Sequence, residues 1–197
     1  MIQENTPVLE SRRLLLRKFT EGDVEDMLPL YGDEEVNRFL PWFPMKTKAE
    51  AAAYLHHTIF PCYEKECAYS YAVVLKAAGR VVGYVHVHDI GGSNDLGYGL
   101  CREFWHQGIT TEARAAVVER LRRVHFPFLT ATHDIHNPYS GEVMKKLGMT
   151  YRYSYKEQWM PKNIPVVFRM YQLNLDGTDR TYTGYREIHP SFVERLP

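Results

Sequence analysis

Apolar positions recur at helical spacing over one stretch: Ile109, Ala113, Ala116, Val117, Leu121 and Val124. A second, shorter helix is predicted from Ser140 to Leu147, after a loop at Asn137, and it stops at Gly148. Elsewhere the pattern is that of strands. Leu14-Leu15-Leu16 lies between Arg12-Arg13 and Arg17-Lys18, which predicts a first strand within Val8 to Phe19 with Leu14 and Leu16 on one face. Tyr69 to Leu75 alternates, Ala77-Ala78-Gly79-Arg80 turns, and Val81 to His88 is the partner strand. Further strands are predicted at Asp95 to Cys101, Phe126 to Ala131, Met149 to Trp159 and Ile164 to Leu175. Gly97 and Gly99 within one of them suggest a bulge or a close backbone approach.

Between the first two strands lie two helices. Thr20, with Asp23 three residues on, forms a rough capping box for a helix to Tyr31, and Asp33 to Phe39 forms a short turn or helix. Phe39-Leu40-Pro41-Trp42-Phe43-Pro44 is a loop. A longer helix opens at Thr47 or Lys48 and reaches about Tyr63, with an end or kink near Phe60 set by Pro61. Strand, helix and strand in succession around the long helix predict a mixed sheet. The polar segment Asp176 to Pro197 carries scattered Tyr182, Tyr185, Ile188 and Phe192, and its role is open.

Composition narrows the class. The chain has 197 residues, 45% hydrophobic and 24% charged, as in a globular domain. Its formal net charge is zero, so no broad attraction to nucleic acid is expected. No apolar run approaches the ~18 residues that span a bilayer, and Met-Ile-Gln-Glu-Asn is no signal pattern, so no membrane is expected. Cys62, Cys67 and Cys101 make an odd count that fits a reducing cytoplasm rather than a disulfide framework. Fourteen tyrosines admit a homodimer surface without requiring one.

The start of the long helix carries the first candidate chemistry. A helix N-terminus has unpaired N–H groups and a partial positive charge. Gly108 there lets a phosphate approach the backbone without meeting a Cβ. Phe104, Trp105, Gly108, Thr111, Glu112 and Ala113 fit the aromatic-Trp-Gly-x-Gly-Tyr-Ala-Thr-Glu-Ala motif of RimJ/RimL-type proteins. His106 replaces a Gly of that motif and Thr110 its Ala. Asn137, Ser140, Lys146, Gly148 and Met149 fit its Asn-x-x-Ser…Lys-x-Gly-Phe/Met signature. In order and spacing, the chain from about Pro7 to Leu175 resembles the GNAT superfamily of acyl-CoA N-acyltransferases, RimJ/RimL subgroup.

The resemblance implies an α/β (mixed α+β) fold, a central mixed, mostly antiparallel sheet flanked by helices. A domain at 1–175 would then be followed by a tail at 176–197. It also implies acetyl-CoA as co-substrate, a primary amine (protein N-terminus or small amine) as acceptor, and no metal. The expected cofactor contacts are Leu100 and Cys101, whose strand would pair with the pantetheine arm, then His106, Gln107, Gly108, Ile109, Thr110, Thr111, Asn137 and Ser140. Trp42, Phe43 and His86 are candidates for the acceptor side, although Trp42 and Phe43 equally suit plain packing of their loop.

Acyl transfer to an amine needs a neutral amine, a stabilised oxyanion and a protonated leaving thiolate. Asp95, at the start of the strand before the phosphate loop, is the candidate base, against the plainer reading of a turn residue. Glu157 is its rival. Ser140 is the candidate donor to the thiolate, against capping of its own helix. The tyrosine acid of some GNAT enzymes falls at Met144 here. His86 and His88, or His133 and His136, lack a third ligand at fixed spacing, so metal is not expected. The chain has no Gly-x-x-x-x-Gly-Lys-Ser/Thr and no Gly-x-Ser-x-Gly. Two functions compete: an acetyl-CoA-dependent N-acetyltransferase acting in a ternary complex, and a non-catalytic acyl-CoA-binding or sensing module on the same fold.

Overall fold

The computed structural model describes residues 4–65, 69–89 and 91–196; Cys67 lies outside them. Nine strands form one sheet in the order β1-β2-β3-β4-β5-β6-β8-β7-β9. The strands are β1 (Leu9–Glu10), β2 (Leu14–Arg17), β3 (Tyr69–Leu75), β4 (Arg80–His88), β5 (Asp95–Leu100), β6 (Phe128–Asp134), β7 (Thr150–Trp159), β8 (Ile164–Asn174) and β9 (Ser191–Phe192). Every pair is antiparallel except β5 with β6. Five helices accompany them: α1 (Val24–Tyr31), α2 (Lys48–Tyr54), α3 (Ile109–Arg123), α4 (Pro138–Lys146) and α5 (Gly184–Ile188). Among the described residues no helix is long and apolar enough to cross a membrane.

Strand alternation sorts the sheet into two faces. One carries Leu14, Leu16, Val85, Val87, Leu96, Leu100, Leu129 and Ala131 against Ile109, Ala113, Val117, Val118 and Leu121 of α3 and Met144 of α4. Each fully buried aliphatic side chain there contributes about 1.5–3 kcal/mol. The opposite face is covered in two patches. Ala72, Val74, Val81 and Tyr84 pack on Met27, Leu30 and Tyr31 of α1 and on Ala51 and Leu55. Tyr153, Tyr155, Val166, Phe168 and Met170 form the second patch, with Tyr185 of α5 on it.

Local chemistry sets the helix ends. Thr20 and Asp23 form the capping box, and Arg17 holds the Asp23 carboxylate at 2.7 Å. The segment predicted as one helix to Tyr63 changes geometry twice: α2 passes into a π-helical turn over Leu55–Ile59 and a 3₁₀ turn over Phe60–Glu64. Pro61 lacks the N–H that an α-helical ladder would need there.

Three expectations are corrected. The first strand is two, because the chain turns at Ser11, whose N–H bonds the Leu14 carbonyl. The strand expected at Phe126 to Ala131 runs over Phe128–Asp134 instead. Phe126 is still folded back, its N–H on the Leu121 carbonyl, and Pro127 follows. No bulge interrupts β5, whose register with β4 is regular throughout. Its glycines serve close approach: a Cβ on Gly97 would overlap the His86 ring, and one on Gly99 the Tyr84 ring.

Gly97→Ala should therefore cost about 1–3 kcal/mol in denaturant unfolding, the usual penalty for overpacking. Adding His86→Ala should recover part of that loss, and strictly additive effects would show that the ring does not set the glycine.

Candidate active site

The sheet opens where β5 leaves β6. Their pairing is confined to Asp95 opposite Thr130, with the Thr130 N–H on the Asn94 carbonyl. Beyond that point the two parallel strands diverge. Cys101 donates its N–H to Val82 of β4. Backbone groups alternate in direction along a strand, so those of Tyr98 and Leu100 face the gap. The Leu100 carbonyl accepts the Trp105 indole N–H at 2.8 Å. Of the expected backbone contacts, then, the Leu100 carbonyl and the Cys101 N–H already have partners, and the open backbone lies at Tyr98. The Cys101 thiol is buried on the other face, where burial pushes it up to about 11.

At the wide end of the gap stands the N-terminus of α3. Gly108 is its N-cap, left-handed at φ 73°, and His106, two residues before it, is left-handed too, at φ 59°. His106, Gln107 and Gly108 are exposed, and the nearest foreign atom to a Cβ on Gly108 would be an Arg13 nitrogen at 3.7 Å. The first intrahelical bond is Glu112 N–H to the Gly108 carbonyl. The N–H groups of Ile109, Thr110 and Thr111 thus precede the ladder and are the donors a helix start offers an anion. Glu112 itself is structural. Its carboxylate holds Arg13 at 2.7 Å and Ser11 at 2.8 Å, and Arg13 in turn donates to the Gln107 carbonyl at 2.9 Å. This network pins the turn to the edge of the sheet. The left-handed φ adds a backbone cost to any Gly108 substitution, beyond the steric one the sequence suggests.

The Asn137 loop forms the other lip. Asn137 caps α4, its side-chain oxygen accepting the Ser140 N–H at 3.4 Å, and His106 meets Tyr139 edge-on at 5.3 Å between centroids. Gly141 lets α4 lie against the His133 ring, because a Cβ there would stand 2.7 Å from Nε2. Ser140 points its hydroxyl at the Tyr98 hydroxyl, with which it is hydrogen-bonded. The Arg114 guanidinium lies 4.0 Å from the centre of the Tyr98 ring. Arg114 is wholly buried, one of its nitrogens is 3.7 Å from the Met149 sulfur, and its Nε and Nη1 have no hydrogen-bond partner among the described residues. Met144 is buried on the same side.

The opposite face of β4 and β5 carries a ring ladder. Tyr31 stacks on Tyr84, Tyr84 on His86 and His86 on His88, the last pair 4.1 Å apart. Burial, then the neighbouring His88, holds His86 well below the ordinary imidazole value, so it is neutral. Asp95 shares this face. Its Oδ1 is buried without a partner, and burial raises the carboxyl to about 6 against the opposing pull of Arg114. Tyr185 of α5 bonds toward Ser93 and Thr130 and senses the Asp95 charge, as do Tyr155 and Tyr182. Glu157 lies further along, half-buried and 3.7 Å from His189, its carboxyl raised by burial and lowered by that histidine. Trp42 packs on Tyr31 and Tyr54 and donates to Asn37 at 2.9 Å, whereas Phe43 is 63% exposed. Lys162, in the β7–β8 connection, donates to the Asn37 carbonyl at 2.7 Å and so joins that hairpin to the segment after α1.

The structure thus groups the Gly108 turn, Asn137 and Ser140 along the gap, and Asp95 and His86 on the sheet face away from α3 and α4; Phe43 joins neither group. Sequence reasoning did not single out Tyr98, Arg114, Tyr155, Tyr185 or His189. Arg114 alone carried a signal, as a charge at a position whose neighbours one turn on, Val117 and Val118, are core. Among the described residues no cluster of three or more metal-ligating side chains occurs.

The open parallel pair and the glycine-led helix start lie within the stretch that the comparisons match to known acetyltransferases. The profile of the Acetyltransferase (GNAT) domain family matches residues 13–150, and the chain belongs to that family of acetyltransferases. An uncharacterised N-acetyltransferase of Bacillus subtilis, YoaA, is 24% identical over 115 residues; the match takes in 57% of this chain and 64% of that protein, just under two thirds of its length. The ribosomal L7/L12 α-N-protein acetyltransferase RimL in complex with coenzyme A superposes with a TM-score of 0.75 at 19% identity, covering 87% of this chain and all of that one. A Salmonella typhimurium acetyltransferase that modifies the N-terminal serine of L7/L12 gives 0.73 at 19%, over 85% and 99% of the two chains.

Because burial raises the Asp95 carboxyl, its charge opposes folding. The folded chain holds this proton up to about 6, while the unfolded chain releases it near 3.8, so wild-type stability falls as pH rises between those values and stays low above them. Asp95→Asn should accordingly be more stable than wild type at pH 7.5, by about 1–3 kcal/mol. The gain should vanish as pH falls below 4. Equal stability of the two at pH 7.5 would mean that Asp95 is solvated.

Proposed function

We propose that this acetyltransferase transfers the acetyl group of acetyl-CoA to a primary amine, a protein N-terminus or a small amine, by direct attack in a ternary complex. The observation that carries this reading is the unpaired backbone of Tyr98 in a gap that ends at the bare N–H groups of Ile109, Thr110 and Thr111. A pantetheine arm can pair there as an added strand while its diphosphate meets the helix start. The residues that would hold acetyl-CoA are Tyr98 by its backbone, Gly108 to Thr111 by their N–H groups, and Asn137 and Ser140 at the thioester end. Bound there, the thioester supplies an activated acetyl carbon.

The rest is the work of this chain's side chains. Asp95 takes the ammonium proton. A carboxyl raised toward neutrality is a better-matched base than an ordinary one, and its unpartnered Oδ1 is free to accept. Glu157 has His189 beside it and serves the same purpose less well. Neutral His86 and the tyrosines around Asp95 give the amine an aromatic, partly dry surface, where a cation is held and then discharged. The carboxylates and rings suit a cationic acceptor, and the RimL relatives, which act on a ribosomal-protein N-terminus, support the α-amino choice.

Asp95→Asn should lower the rate with an α-amino acceptor by roughly 10²–10⁴-fold near neutral pH. The defect should shrink as pH passes the acceptor's own pKa, because the free amine then forms unaided. Glu157→Gln should cost no more than about tenfold. Small, pH-independent effects from both would remove a carboxylate base from the mechanism.

Gly108→Val should abolish acetyl-CoA binding in calorimetry, since its Cβ stands between the diphosphate and the helix N–H groups. Unchanged affinity would move the phosphate site elsewhere. Thiol release measured over a panel of amines and peptides tests the whole reading. Tight acetyl-CoA binding without acceptor-dependent release would favour a sensing module.

A further inference from the structure

The departing thiolate needs a proton, and Met144, buried on the same side as Ser140, has none to give. Ser140 is close, but a serine hydroxyl is too weak an acid to give up a proton unless another group refills it at once. The geometry points to Tyr98 as that group: Tyr98 and Ser140 form a two-hydroxyl proton relay to the leaving sulfur, and the buried guanidinium of Arg114 stabilises it. This inference rests on the acetyl-CoA reading above.

Three observations carry it. The Tyr98 and Ser140 hydroxyls are in direct hydrogen-bond contact, from β5 on one side of the gap to the first turn of α4 on the other. The hydroxyl of Tyr98 also lies 3.3 Å from the Ser140 carbonyl, so it is held at that spot. Arg114 lies over the Tyr98 ring at 4.0 Å, is wholly buried, and has Nε and Nη1 unpartnered. A buried cation is stabilised by negative charge beside it; the Asp95 carboxyl supplies part of that charge, and negative charge forming on the Tyr98 oxygen would add to it. A tyrosine, with a reference pKa near 10, is a far better proton source than serine at the moment a thiolate forms.

The step balances. As the tetrahedral adduct collapses, the carbon–sulfur bond breaks and sulfur leaves with the electron pair. Sulfur takes the Ser140 hydroxyl proton while Ser140 takes the Tyr98 hydroxyl proton. The tyrosinate rests against Arg114 until solvent returns a proton to it. The amine has meanwhile lost its own protons to Asp95 and solvent, and the amide and free thiol depart.

Tyr98→Phe keeps the ring under Arg114 and removes only the hydroxyl. With acetyl-CoA it should lower kcat by roughly 10–100-fold while the KM for acetyl-CoA stays within about twofold. Se-acetyl-seleno-CoA, whose selenol is a much stronger acid than a thiol, leaves without a proton, and with it variant and wild type should agree within about threefold. Ser140→Ala should show the same pattern. A binding readout stands beside these: wild type should bind CoA more tightly than desulfo-CoA, and Tyr98→Phe should bind the two more nearly alike. Equal loss with both donors, or no loss with either, overturns the relay even though acetyl transfer by wild type stands. If wild type shows no acceptor-dependent thiol release from acetyl-CoA, the relay falls together with the acetyl-CoA reading, so the two failures are told apart by the wild-type control.

Discussion

Everything in the site depends on the parting of β5 from β6. Two parallel strands that pair at Asp95 and Thr130 and then separate leave backbone hydrogen-bond groups facing a gap inside the sheet. Unpaired backbone groups away from water are costly, so a sheet keeps such a gap only where its ends are held apart. Here α3 and α4 pack on the face behind it and bring the two lips together at His106 and Tyr139. The Arg13–Glu112 pair fixes the helix start against the β1–β2 turn. The fold thus holds an extended, polar gap that ends at bare helix N–H groups in place before any ligand arrives, which is the condition for binding without a large ordering cost.

The same parting separates two chemical environments. On the α3 and α4 face, the buried Arg114 guanidinium lies over the ring of Tyr98, whose hydroxyl meets that of Ser140. On the opposite face Asp95 and neutral His86 sit among tyrosines. A reaction that deprotonates an amine and protonates a thiolate would benefit from such a division of charge. Arg114 and Asp95 also oppose each other's burial cost electrostatically, so the two halves of the site are coupled in stability as well as in function.

Much of the fold was legible in the sequence because its signals are local. The helical period from Ile109, the Thr20–Asp23 capping box and the turn at Ala77 to Arg80 each depend on neighbours a few residues away, and the structure has all three. What was missed or left open depends on distant partners. Gly97 and Gly99 admit either a bulge or a close approach until the rings of His86 and Tyr84, laid over them from the next strand, decide for close approach. Tyr185 looks like a scattered tail residue, and His189 draws no reading, until α5 folds back onto Tyr155. Arg114 was passed over although its neighbours one turn on are core, and its burial follows from the packing of Tyr98 and Met149 around it. The glycine-led helix start and the Asn137–Ser140 turn were visible through motif spacing; the hydroxyl that Ser140 touches was not, because it arrives from a strand some forty residues earlier.

The central claim is that the backbone of Tyr98 is open in the free protein and becomes the edge to which the cofactor pairs. Amide hydrogen exchange at Tyr98, followed by NMR with and without coenzyme A, tests it most directly. The account predicts a Tyr98 N–H that exchanges faster than those of Gly97 and Gly99 in the free protein and becomes strongly protected when coenzyme A binds. A Tyr98 N–H that is protected already, or whose exchange does not change while coenzyme A binds, would contradict it.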